Sequence, residues 1–75
     1  MQIRIKLMGA LKEKEPPEGL LDVSEGTTID DVVQQLDISS AQVQIVMVNN
    51  RPQPDRTVVV NANDELTILA PVGGG

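Results

Sequence analysis

The stretch TTIDDVVQQLDIS, Thr27–Ser39, decides the fold, because it carries the only long helical pattern in a chain of 75 residues. Ile29, Val32, Val33 and Leu36 fall at i, i+3, i+4 and i+7, one apolar stripe along a single helix face. Thr28 precedes the stripe as an N-cap, and Asp31 three residues on gives a variant of the capping box. Asp30 and Asp31 sit in the first turn, where the helix dipole favours negative charge. They read as solvated helix-start charges and not as a catalytic pair, since no base or metal ligand accompanies them.

Outward from this helix the apolar period changes to two. QIRIKLM (Gln2–Met8) alternates strictly, with Ile3, Ile5 and Leu7 on one face. GALKEKEPPEG (9–19) is a connection punctuated by glycine and proline, with a helical turn expected at Ala10–Glu15. LLDVS (Leu20–Ser24) reads as a second strand closed by Glu25-Gly26. Beyond the helix, QIVMVNN (Gln44–Asn50) is a third strand ended by the turn former Asn49-Asn50. RPQPDR (51–56) cannot lie in a central strand, because two prolines remove ladder donors. TVVVN (57–61) is expected as a short edge strand, and ELTILA (Glu65–Ala70) as the last strand, with Leu66, Ile68 and Ala70 inward.

The order strand, strand, helix, strand, short strand, strand implies an α+β fold: a mixed sheet of four to five strands packed on one main helix. If the first two strands form a hairpin and the last lies beside the first, the arrangement is a β-grasp. It would occupy residues 1–72, with 73–75 as a flexible C-terminal glycine tail.

Composition narrows the chemistry. There is no Phe, Tyr or Trp, so the core is thin and aliphatic; there is no Cys or His, which removes thiolate metal sites and triad-type nucleophiles. That inventory is poor for an independent enzyme. A net charge of −5 without aromatics disfavours nucleic acid. No apolar run approaches a membrane span, and polar residues interrupt the N-terminus where a signal peptide would be apolar, so the expectation is a cytoplasmic protein, monomeric when free.

Three glycines cannot pack a core, and APVGGG (Ala70–Gly75) passes abruptly from patterned strand into glycine. Such an end can be threaded into another protein's active site, with no Cβ to block attack on its carbonyl. A frayed end is the plain alternative.

MVNNRPQ, NANDELTILAPVGGG and MGALKE (Met8–Glu13) together resemble the MoaD/ThiS family of sulfur-carrier proteins over essentially the whole chain. The resemblance implies a ubiquitin-like β-grasp and a carrier without catalysis of its own. An adenylyltransferase of the ubiquitin-activating type would use ATP and Mg²⁺ to adenylate the carboxylate of Gly75. A sulfur source would replace AMP, leaving a thiocarboxylate that delivers sulfur inside a synthase, with Gly73 and Gly74 supplying reach. The chain itself would bind no cofactor or metal. A molybdopterin synthase large subunit is the favoured partner, as for a MoaD-like small subunit. A thiazole synthase in thiamine biosynthesis is the alternative, as is a modifier conjugated to lysines through Gly75. Many MoaD-type members carry aromatic residues where this chain has Leu7, Met8, Ile68 and Leu69.

Strand parity adds a surface. With Ile3, Ile5, Leu7, Val46, Val48, Leu66 and Ile68 facing the helix, Met8, Met47 and Leu69 face the other way as an apolar patch for partner docking, continued by Pro71 and Val72. Asp64 and Glu65 would lie beside the tail and steer it towards a basic groove, or would pair with Arg51 and Arg56.

Overall fold

The alternation in the first strand is resolved by burial: along β1 (Gln2–Met8), Ile3, Ile5 and Leu7 are at most 3 % exposed, while the residues between them are open to solvent. The computed structural model describes residues 1–71. Two 3₁₀ turns, Gly9–Lys14 and Pro17–Gly19, lead to β2 (Leu20–Asp22). The helix α1 (Ile29–Gln35) follows, then a 3₁₀ turn at Ser40–Gln42, β3 (Ile45–Val48), β4 (Arg51–Pro52) and β5 (Glu65–Leu69).

The five strands form one sheet in the order β2-β1-β5-β3-β4. β1 pairs antiparallel with β2 and parallel with β5, and β3 runs antiparallel to both β5 and β4. This is the β-grasp: a mixed sheet whose first and last strands are central neighbours, with the helix covering one face. Ile29, Val32 and Val33 meet Ile5, Leu7, Leu66 and Ile68 in one aliphatic core.

The helix begins where its cap residues require. The Thr28 hydroxyl accepts from Asp31 N at 3.2 Å, and the Asp31 carboxylate accepts from Thr28 N at 3.1 Å, a complete capping box. The next two orphan donors of the first turn, Ile29 N and Asp30 N, bond to Val58 O and Arg56 O, each at 3.0 Å. At its other end the helix stops before the pattern does. Leu36 caps it and is buried, but Asp37 turns left-handed at φ +60°, and Lys14 Nζ donates to the Asp37 carbonyl.

The short edge strand is displaced from its expected place. Thr57–Asn61 makes a single bridge, Val59 to Thr28, because its backbone is used to close the start of the helix instead. The edge strand is Arg51–Pro52, brought back onto β3 by Asn49 and Asn50 at φ +52° and +69°. Two left-handed residues in succession suit a two-residue hairpin whose twist matches its strands. Proline is tolerated at this edge, where its missing N–H would face solvent. The second strand is also shorter than its pattern, ending at Asp22, although Val23 stays buried.

Between β4 and the helix crossing, Asp55 organises the turn. Its carboxylate accepts from the Thr57 hydroxyl at 2.6 Å and the Thr57 amide at 2.9 Å. These bonds, the hydroxyl's first, hold its pKa below the ordinary aspartate value of 3.8. The depressed value means that the stabilisation is present above the ordinary aspartate pKa and is lost as pH falls through the lower folded one. Carboxyl NMR titration should therefore find the Asp55 midpoint below that of an unstructured aspartate, and Thr57→Val should raise it. Thr28→Ala should cost about 1 kcal/mol in urea unfolding, with the slope of the transition unchanged.

Candidate functional site

One helix cannot cover two faces, so the sheet face opposite α1 is left open. Register places its residues in rows, because paired residues share a face. Met8, Leu69 and Ile45 form one row across β1, β5 and β3. Lys6, Thr67, Met47 and Pro52 form the next, and Arg4 with Glu65 a third. Met8 is 42 % exposed and Ile45 44 %, while Met47 and Leu69 are half-buried. Thr67, between Lys6 and Met47 on the face opposite α1, is 7 % exposed.

The register therefore brings together Met8, Met47 and Leu69, as parity requires, and adds Ile45. The signal for Ile45 was available in the alternation itself, since Val46 and Val48 inward put Ile45 outward with Met47. Pro71 is exposed and stands two residues beyond Leu69. Gln44 N donates to Leu69 O at 2.9 Å, tying down the end of the central strand. The chain thus leaves the sheet from its middle, beside the apolar row. Val72, Gly73, Gly74 and Gly75 lie outside the described residues.

The acidic pair is placed differently from expectation. Asp64 and Glu65 stand at the start of β5, and Pro71 follows its end, so the strand's whole length separates them at roughly 3.3 Å per residue. Asp64 is occupied as a turn residue: its carboxylate accepts from Asn49 Nδ2 at 3.0 Å and Asn61 N at 2.8 Å. Asn49 Oδ1 in turn accepts from Glu65 N at 2.9 Å. Arg51 and Arg56 pair with neither acid. Among the described residues the ion pair found is Lys12 with Glu15 at 3.7 Å, and Arg56 instead donates to the carbonyls of Val43 and Ser40. Glu15 also accepts from Leu7 N at 3.4 Å, satisfying β1 beyond the end of β2.

Among the described residues no group of three potential ligands could hold a metal ion, and no helix is long and apolar enough to cross a membrane. The open face offers apolar contact area and single charges, an arrangement suited to recognition.

The family model of the ThiS family matches residues 5–75. Among solved structures, the crystal structure of SAMP1 from Haloferax volcanii is similar with a TM-score of 0.75 at 22 % identity, covering all of both chains. The crystal structure of H. volcanii small archaeal modifier protein 1 gives 0.72 at 19 % identity, over 95 % of this chain and 98 % of that one. A chain of the protein–protein complex of subunits 1 and 2 of molybdopterin-converting factor from Helicobacter pylori 26695 gives 0.62 at 16 % identity, over the whole of both. At such identities these structures speak for the fold alone. A search of curated protein sequences gave no match.

The assignment of faces has a direct check. Ile45→Glu and Met8→Glu should leave stability within about 0.5 kcal/mol of wild type, as exposed positions do. Leu7→Ala, on the opposite face of the same sheet, should cost about 2–5 kcal/mol by urea unfolding.

Proposed function

The chain belongs to the ThiS family, and on that premise we propose that it is a sulfur carrier that takes part in its reaction as co-substrate. The observation that carries this reading is the family match, which runs through the closing glycines to Gly75. The carboxylate of Gly75 attacks the α-phosphorus of ATP on an adenylyltransferase, forming an acyl-adenylate and releasing pyrophosphate. A carboxylate lacks a good leaving group; AMP supplies one. A sulfur donor then displaces AMP, and the resulting thiocarboxylate is carried to a synthase. ATP and Mg²⁺ belong to the activating enzyme, and this chain contributes the reacting carboxylate, the reach of Gly73 and Gly74, and the address by which partners find it.

The open sheet face supports the last part. Met8, Leu69 and Ile45 present an apolar row at the root of the tail, and Met47 beside them has the flexible side chain that suits more than one partner. Partner docking on this face, continued by Pro71 and Val72, would aim the tail into an active site. We place the chain as the small subunit of a molybdopterin-type synthase working in the cytoplasm, where a large subunit supplies the catalytic side chains. A chain of this fold occurs in the H. pylori complex of molybdopterin-converting factor subunits 1 and 2, a precedent for such a pairing, and the thiazole route stands as the alternative.

A second reading is a protein modifier joined to lysines through Gly75. Two H. volcanii structures share this fold, and one of them is described as a small archaeal modifier protein. Intact mass separates the two. Incubated with its adenylyltransferase, ATP, Mg²⁺ and a sulfur donor, the carrier should gain the mass difference between sulfur and oxygen. Absence of both adenylate and thiocarboxylate would sink the carrier reading, and lysine-linked adducts in cells would favour the modifier. Removing Gly74 and Gly75 should abolish transfer while leaving the unfolding curve unchanged, and Ile45→Glu should slow adenylation.

A further inference from the structure

The outer edge of β3 carries a feature distinct from the apolar rows. Regular pairing of β4 with β3 stops at Met47 and Val48, and beyond it the chain diverges from β3. Gln53 N donates to Val46 O at 2.8 Å, and Pro54 then has no N–H with which to continue the ladder. A groove of about 390 Å³ opens there, lined by Gln44, Ile45, Val46, Pro52, Pro54 and Arg56.

Its one charge is Arg56, which is half-buried. The guanidinium donates to Ser40 O at 3.4 Å and Val43 O at 3.0 Å, which orients it without neutralising it. Among the described residues no carboxylate stands within ion-pair distance of it. A guanidinium has five N–H donors in a fixed fork, so a cation held by two carbonyls can still bind a carboxylate.

We propose that this groove docks an extended segment of a partner protein in which an apolar side chain neighbours a carboxylate. The segment's apolar side chain enters between Ile45 and the two prolines, and its carboxylate meets Arg56. The chain's overall charge of −5 works against acidic ligands, so the attraction is local to this cation. Because Gln44 also holds Leu69, a segment seated here lies beside the root of the C-terminal strand. The inference goes beyond the carrier reading and stands whether or not Gly75 is activated.

The test titrates ¹⁵N-labelled full chain, at physiological salt, with the acetylated and amidated peptide Asp-Val-Ile-Val-Asp, alongside its counterpart Lys-Val-Ile-Val-Lys. The acidic peptide should shift the amides of Gln44, Ile45, Val46 and Gln53 and the Arg56 side chain, and the basic peptide should not. Gln44→Lys should tighten the acidic peptide and Gln44→Glu weaken it, by about threefold each. Equal response to both peptides, shifts confined to Met8, Thr67 and Leu69, or no shift at millimolar peptide would overturn the proposal.

Discussion

The parallel pairing of β1 with β5, in register from Arg4 with Glu65 to Met8 with Leu69, is the interaction on which the rest of the molecule depends. It joins the two ends of the chain into the middle of the sheet and buries Ile5, Leu7, Leu66 and Ile68 against the helix. A parallel pair needs a long crossover, and the connection from Gly9 to Asp64 serves as one. β2 and β3 then add to the two free sides of this central pair, with β4 outermost. Closing so long a loop costs chain entropy, offset chiefly by aliphatic burial, since the chain has no aromatic side chain and no disulfide.

The same pairing shapes the surface. With a single helix, burial is spent on one face, and the other keeps Met8, Leu69 and Ile45 in a row beside the point where the chain leaves the sheet. A small domain that exposes such a row has the form of something recognised by others. In the proposed role that is sufficient, because chemistry at an activated carboxylate belongs to the partners.

Local rules carried far in this chain. The cap of α1 was legible from Thr28 and Asp31 because both halves of a capping box lie within four residues. The inward faces of β1 and β5 were legible because alternation needs no knowledge of the neighbour. What misled was the apolar run at Val58–Val60. Its β propensity is real, but the helix's unsatisfied first-turn amides claimed Val58 O and Arg56 O, a long-range demand that no local pattern displays. The edge strand lies at Arg51–Pro52 because two left-handed asparagines fold the chain back there. Asp64 and Glu65 are close to the tail in sequence number, yet a strand is extended, and its length carries them to the opposite end of the sheet.

By itself the sequence determined the helix and its start, the strand faces, the absence of thiol and imidazole chemistry, and the family to which the glycine-ended chain belongs. All but the family, which the whole chain carries, depend on residue type or on spacing within a few positions. Tertiary structure alone decided that Ile45 lines up in one row with Met8 and Leu69, that Arg56 is held by the carbonyls of Val43 and Ser40, and that a groove opens beside β3. Those features come from strands meeting across dozens of residues, where register, and not local preference, chooses the neighbours.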